Sequence, residues 1–185
     1  NDPLVINHQG TGLLNINRTL GVSGNTAPIT ITGGGTVRLL NNVSSGGVTL
    51  QNGWIQVNHN ASFGTGTLTM QAGRISAASL VSRTTAVAWV LGGDISLGHP
   101  TDAYVGTLRF TGSGTLTGSR ILTVDSPAVF AGAIGDGGNN YALTKRGESL
   151  LRLSGTNTYG GGTMIETGVV AFTSGLTQRA SADAA

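Results

Sequence analysis

Three charged residues are spaced so that they could act together on a substrate. Asp125, Lys145 and Glu166 follow one another at intervals of about twenty residues. If the chain winds with that period, the three side chains stack in one column, where two carboxylates beside an amine could supply acid, base or binding groups to a carbohydrate-cleaving enzyme. Charge pairing in a structural ladder also accounts for one lysine between two acids. We favour this ladder, and we predict no catalytic residue.

A second column with the same spacing would contain Trp54, Arg74 and Asp94. A stacking aromatic ring beside charged groups is typical of a surface that binds a sugar or a peptide. The alternative is a surface ladder held by a cation–π contact and an ion pair, each contributing about 0.5–1 kcal/mol. We therefore regard Trp54, Arg74 and Asp94 as candidate surface contacts, and both interpretations stay open.

Other residue types that do chemistry lack the spacing that their chemistry needs. The three histidines lie in separate stretches without metal-ligand spacing, at His8, His59 and His99. No serine occupies a Gly-x-Ser-x-Gly turn. Thr-x-Thr pairs begin at positions 30, 67 and 115, which would suit an ice-binding array, but they do not share a column of the expected repeat. We expect no metal, no cofactor and no ice binding.

The columns depend on a repeat that runs through the whole sequence. Its unit is a glycine followed by apolar residues two apart, and a second alternating stretch precedes each unit. The first apolar residues of the units stand at positions 14, 37, 55, 75, 95, 116, 129, 151 and 170. The preceding stretches begin at positions 4, 29, 48, 68, 87, 108, 122, 143 and 163. Period-two alternation predicts strands with one buried face.

A stacked solenoid explains this pattern better than antiparallel hairpins, because equivalent positions of successive units carry similar residues. No stretch of ten or more residues has a helical apolar face, so we predict almost no helix. We expect an all-β parallel β-helix of about nine coils of ~20 residues. It would form one domain over residues 1–176, with residues 177–185 as a C-terminal tail or the start of a linker. The predicted inward side chains are Val37, Leu39, Val48, Leu50, Ile55, Val57, Ile95, Leu97, Leu151, Leu153, Val170 and Phe172.

Composition narrows the possible partners. Charged residues are only 10% of the chain, the formal net charge is +2, and the basic residues are scattered, which argues against nucleic-acid binding. No apolar run is long enough for a membrane helix, so we expect no membrane insertion by this segment. Cysteine is absent, which excludes disulfides and thiolate metal sites. The sequence does not begin with methionine and shows no signal peptide, so we expect a processed piece.

The stretch from Ala142 to Phe172 resembles the autotransporter-associated β-strand repeat, whose usual pattern is LTKxGxGxLxLSGxNTYxGGTxxxxGxL. The matching residues are Leu143-Thr-Lys145, Leu151-Arg-Leu153-Ser-Gly155, Asn157-Thr-Tyr159, Gly161-Gly-Thr163 and Gly168-Val-Val170. Glu148 and Ser149 depart from the second glycine. The resemblance implies a right-handed β-helix in the passenger of a protein that is secreted or displayed on a bacterial cell surface, often acting in adhesion or self-association.

One further surface follows from the expected register. Outward positions of the last three coils become apolar at Phe130, Leu150 and Val169. A contiguous exposed apolar strip usually marks a contact surface. We therefore expect this strip to be covered by a neighbouring molecule or by the tail from Thr173 to Ala185, unless a register slip at Pro127 turns Phe130 inward.

Three functions remain open. The first is a non-enzymatic passenger that acts as a structural stalk, an adhesin or a self-association module. The second is the subunit of an extracellular fibre built by end-to-end stacking of β-helices. The third is a polysaccharide-active β-helix enzyme. The expected partners are a second copy, bound laterally or end to end, or the glycans and proteins of a host or matrix surface.

Overall fold

The chain folds as a parallel β-solenoid of about eight turns with ~21 residues per turn. The computed structural model describes residues 2–20, 26–42, 44–173 and 180–182. The only helix in these residues is a 3₁₀ turn at Asp102–Tyr104. The predicted fold class is therefore confirmed, with about eight turns where the sequence suggested nine.

Three parallel sheets form the sides of the solenoid. Sheet B runs from the first described turn to the last, whereas sheet A ends at Gly135. Sheet A contains β1 (Leu4–Asn7), β3 (Ile29–Thr32), β5 (Val48–Leu50), β7 (Leu68–Met70), β10 (Trp89–Leu91), β13 (Gly114–Leu116) and β16 (Ile134–Gly135). Sheet B contains β2 (Leu13–Leu20), β4 (Thr36–Asn42), β6 (Trp54–Val57), β8 (Arg74–Ala77), β11 (Ile95–Leu97), β14 (Arg120–Val124), β17 (Leu143–Arg146), β19 (Thr163–Ile165) and β21 (Ala180–Ala182).

Sheet C forms the third side and begins only at the fourth turn. It contains β9 (Arg83–Thr85), β12 (Leu108–Phe110), β15 (Ala128–Phe130), β18 (Leu150–Leu153) and β20 (Val169–Phe172). Before β9, residues 58–67 cross this side as a loop, and Phe63 fills the interior beneath it. The third side therefore changes from loop to strand part-way along the solenoid.

Apolar side chains from all three sheets meet in one continuous core. Each strand is short and alternating, so every second side chain enters the interior and stacks on its equivalent in the next turn. All the predicted inward residues are buried except Val170 and Phe172, which are partly buried against the same core. Three aromatic rings, those of Trp89, Phe110 and Phe130, pack together in the middle of the core with centroids 4.6–6.3 Å apart.

The late units of the sequence repeat do not stay on one side of the solenoid. Position 95 lies in sheet B, position 116 in sheet A, and positions 129, 151 and 170 in sheet C. The unusually short interval between positions 116 and 129 therefore separates a strand of sheet A from a strand of sheet C. The sequence misled here because a short alternating strand looks the same in every sheet, whereas the length of the intervening loop decides which side it reaches.

Glycines at the corners between sheets A and B allow the turns to stack closely. Gly53 and Gly73 both have positive φ, at 92° and 95°. A Cβ on Gly73 would lie 2.3 Å from the carbonyl oxygen of Gly53 in the preceding turn. Only glycine satisfies both demands at this corner.

Strand β21 falls within residues 177–185, which the sequence suggested to be a tail or linker. It pairs in parallel with β19, with Thr163 opposite Ala180 and Ile165 opposite Ala182. Backbone pairing in sheet B therefore continues past residue 176, while the assignment of the domain boundary stays a prediction.

Candidate functional site

The outer face of sheet B gathers polar and aromatic side chains into two columns. Pairing between neighbouring strands places one column as Thr36, Trp54, Arg74, Ser96, Thr123 and Arg146. A second column beside it contains Arg38, Gln56 and Ser76. We call these nine side chains the sheet B face. The backbone ladder fixes their spacing at about 4.8 Å per turn.

An aromatic cluster of Trp54, His99 and Tyr104 covers part of this face. The Trp54 and His99 rings stack with centroids 4.5 Å apart, and Tyr104 meets Trp54 edge-on at 5.2 Å. Trp54 Nε1 donates a hydrogen bond of 2.8 Å to Ser76 Oγ, which fixes the indole against the sheet. The spacing of the repeat predicted Trp54 as a contact residue but not its two partners. The available signal was the long connection after β11, which contains both residues.

Arg74 links the aromatic cluster to the next turns of the sheet. Its Nη1 forms an ion pair of 2.7 Å with Asp125 Oδ2 and donates to the Gly98 carbonyl at 2.6 Å. Burial, and then the nearby Arg74 guanidinium, lower the pKa of His99 below its ordinary value of 6.5. His99 is therefore a neutral stacking partner at pH 7.

The predicted column of Trp54, Arg74 and Asp94 is confirmed only for the pairing of Trp54 with Arg74. Trp54 does pair with Arg74, but Arg74 pairs with Ser96 rather than Asp94. The sequence placed Ile75 opposite Ile95, whereas the structure places Ile75 opposite Leu97. A shift of two residues preserves the inward and outward alternation, so the pattern alone could not reveal it.

The expected ladder of Asp125, Lys145 and Glu166 does not form. Asp125 pairs with Arg74. Glu166 receives two hydrogen bonds from Arg146, at 2.5 and 3.1 Å, and these lower the pKa of its carboxyl group. The two acids therefore each have an arginine partner, and no shared site results.

Lys145 points into the solenoid instead of out of it. Its residue is completely buried, and its Nζ donates to the carbonyls of Gly147 and Thr167. Burial lowers the pKa of the ammonium group below 10.5. Lys145 lies opposite Leu122 and Ile165, both at inward positions of the ladder. A buried lysine in this arrangement ties two turns together and is closed to a substrate.

The apolar strip predicted at the C-terminal end is smaller than expected, because β15 turns Phe130 into the core. Phe130 is only 2% exposed and contacts Trp89 and Phe110, so the prediction that it lies in an interface is wrong. The physical reason is the register slip considered above, because β15 turns Ala128 and Phe130 inward. Leu150 is half-buried and pairs with Val169, which is 57% exposed.

The outer face of sheet A has a different character. None of its seven strands contains a charged residue. Its central outward column is small and β-branched, and runs Val5, Thr30, Thr49, Thr69, Val90, Thr115. One threonine of each Thr-x-Thr pair lies in this column, at Thr30, Thr69 and Thr115, but the pairs themselves do not persist along it and Val90 interrupts it. The faces of sheets A and B therefore differ in charge although both are built from parallel strands.

Two concave regions open on the surface of the described residues. One, of about 520 Å³, lies at the free edge of β9, where Asn60 Oδ1 accepts the Thr84 N–H at 3.0 Å. The other, of about 330 Å³, lies on the outer side of sheet B between Asp94 and Arg146. We call the second one the Asp94–Arg146 groove. It adjoins the sheet B face and shares Ser96, Thr123 and Arg146 with it.

The described part of the chain lacks two features that would point to other functions. It contains no group of three or more histidine, aspartate or glutamate residues placed to hold a metal ion. Within the same residues, no helix has the length and apolar character to cross a membrane.

Comparison with known proteins identifies one repeat. A family model described as the passenger-associated-transport-repeat matches residues 143–172. No curated protein and no solved structure matches the chain significantly. The matched residues form β17, β18, β19 and β20, so the repeat comprises two successive strands in each of sheets B and C. This family implies a secreted or surface-exposed protein. The chain therefore carries a passenger-associated transport repeat within a parallel β-solenoid, as is consistent with the β-helical passenger of an autotransporter.

Proposed function

We propose that the chain is a non-enzymatic section of a surface-displayed passenger and acts as an adhesin through the sheet B face. The single observation that carries this proposal is the concentration of aromatic and charged side chains on that face, held by the backbone ladder. Aromatic and arginine residues are enriched where proteins bind partners, and those of this face are half-buried or exposed. Sheet A has the same parallel strand pairing, but none of its strands contains a charged residue.

The arrangement of the acidic groups supports the proposal that the chain is not an enzyme. Asp125 and Glu166 are each bonded to an arginine, and Lys145 is buried. A glycosidase needs two carboxyl groups that face one another across the scissile bond. The three groups that suggested an enzyme point to different places.

An attachment assay tests the adhesin proposal. Beads coated with the purified chain are applied to cultured epithelial cells and to a basement-membrane matrix, and attached beads are counted. Trp54→Ala and Thr123→Glu, which alter the sheet B face, should remove most of the attachment. Thr49→Glu is the matched control on sheet A and should leave it unchanged. Circular dichroism confirms the fold of each variant, and equal attachment by all of them would contradict the proposal.

End-to-end stacking is a second candidate, and the exposure of the first turn favours it. Leu4 and Leu14 are 42% and 37% exposed, although their equivalents in the next turn, Ile29 and Val37, are buried. Another turn, from a second copy or from chain preceding Asn1, would cover them. Sedimentation velocity over a range of concentrations separates these cases: growing rods support stacking of copies, and an unchanged monomer contradicts it.

A further inference from the structure

The Asp94–Arg146 groove lies where small side chains form a floor between two charged ones. Ser96 and Thr123 occupy neighbouring turns of the same column. In the preceding turn Gly73, which adjoins Arg74, contributes no side chain to the groove. Asp94 stands on one side and Arg146 on the other. All of these residues lie in, or next to, paired strands, so the groove is part of the rigid ladder.

The groove offers both hydrogen-bond donors and hydrogen-bond acceptors. Asp94 Oδ1 accepts the Ile121 N–H at 2.8 Å, which leaves Oδ2 without a partner within the described residues. The hydroxyl groups of Ser96 and Thr123 also form no hydrogen bond with the part of the chain that is described. Arg146 uses Nε and Nη2 on Glu166, and Nη1 forms no bond there. The unbonded polar groups that a ligand meets are therefore one carboxylate oxygen, two hydroxyls and Nη1 of Arg146, which carries two N–H donors.

The charged groups around the groove disfavour an acidic ligand, and the groups within it suit a neutral one. Asp94 and Arg146 carry opposite charges across the same space, and Glu166, which pairs with Arg146, adds a second negative charge beside it. An anionic ligand would meet the carboxylate of Asp94, and a cationic ligand would meet Arg146. A neutral molecule rich in hydroxyl groups can satisfy both, because each hydroxyl donates and accepts.

The shape of the sheet B face suits an extended chain. Trp54, Arg74, Ser96, Thr123 and Arg146 occupy five successive turns. At about 4.8 Å per turn this column is about 19 Å long. Sugar rings joined through equatorial bonds advance by a similar distance per unit, so successive units would meet equivalent positions on successive turns. The aromatic cluster at one end offers apolar ring surface of the kind that packs on sugar C–H groups.

We propose that the sheet B face binds a neutral, extended oligosaccharide lying along the solenoid axis, with the Asp94–Arg146 groove holding its hydroxyl groups and the aromatic cluster contacting one end. This inference rests on the adhesin function proposed above and names the class of its ligand.

Titration by nuclear magnetic resonance tests the inference on the whole chain labelled with ¹⁵N. The probes are the neutral β-1,4-linked hexasaccharides of glucose, xylose and N-acetylglucosamine, with hexagalacturonate as an acidic comparison. At least one neutral probe should shift the backbone amides of Asp94, Ser96 and Thr123, and hexagalacturonate should bind more weakly. No shift with any neutral probe, or tighter binding of hexagalacturonate, would overturn the inference.

Three variants locate the binding site. Thr123→Trp fills the groove from an outward position and should weaken the binding of the neutral probe by about tenfold or more. Asp94→Asn keeps an oxygen for the Ile121 N–H but loses the charged acceptor, and should weaken binding by about tenfold. Thr49→Trp puts the same ring on sheet A and should leave the affinity unchanged. Equal affinity in Thr123→Trp and Thr49→Trp would contradict the site.

The two proposals fail in different ways. If coated beads attach through the sheet B face and no neutral hexasaccharide binds, the adhesin function stands and the ligand assignment is wrong. If a hexasaccharide binds at the groove and the beads do not attach, the ligand site stands and the adhesin function is wrong.

Discussion

Truncation of Phe130 should destabilise the chain strongly, because its ring is at the centre of the aromatic core. The side chain is 2% exposed and lies 4.6 Å from the Trp89 ring and 5.0 Å from the Phe110 ring. A buried aromatic side chain removes about 150–250 Å² from water, worth about 4–6 kcal/mol at about 25 cal/mol per Å². Alanine keeps part of that area, so Phe130→Ala should lower the free energy of unfolding by about 4 kcal/mol.

Val129→Ala is the matched control, because Val129 is the neighbouring outward residue of the same strand. It is half-buried, and its truncation should cost less than about 1 kcal/mol. Urea unfolding followed by tryptophan fluorescence measures both variants, and Trp89 reports directly on the cluster. A larger loss for Val129→Ala than for Phe130→Ala would mean that β15 faces the other way, and would refute the assignment of sheet C.

The remaining predictions concern a buried charge, a tight corner and an exposed ion pair. Burial lowers the pKa of Lys145 below 10.5, so between the folded and unfolded pKa values the unfolded chain binds more protons and stability should rise with pH. Lys145→Met should flatten that rise in urea titrations from neutral to alkaline pH, and an unchanged slope would count against the buried ammonium. Gly132→Ala would place a Cβ 2.2 Å from the Gly112 carbonyl oxygen and should lower the free energy of unfolding by about 1–3 kcal/mol. A melting temperature equal to that of the unmodified chain would show that the turns can separate. Glu166→Gln should lower the melting temperature slightly in dilute buffer and not at about 1 M salt, because the Arg146 partner is exposed and ions screen the pair. A lower melting temperature that persists in salt would point to packing instead.

Local sequence was sufficient to predict the strands and their buried residues. Alternation at Val37 and Leu39, and again at Ile55 and Val57, predicted inward side chains that the structure buries almost completely. Alternation is a property of each strand alone, since successive side chains point to opposite faces whatever the strand pairs with. The repeat at residues 143–172 was likewise recognisable because its glycines and apolar residues are local.

The candidate site was only partly accessible from the sequence. The pairing of Trp54 with Arg74 was predicted, because β6 and β8 follow the average spacing. His99 and Tyr104 were missed as members of the cluster, since they lie in a connection whose path the repeat does not specify. The Asp94–Arg146 groove was also missed, because it brings together residues of turns that the average spacing misaligned.

The sequence alone therefore determined that the chain is a β-solenoid, which residues form its strands and which side of most strands is buried. The tertiary structure decided which sheet each strand joins, the two-residue shift that places Ser96 rather than Asp94 beside Arg74, and the inward orientation of Phe130. The reason is physical. Side-chain alternation repeats every two residues, so it cannot distinguish one sheet from another or detect a shift of two. Those choices depend on loop lengths and on the packing of each turn against its neighbours, which involve residues about twenty positions apart.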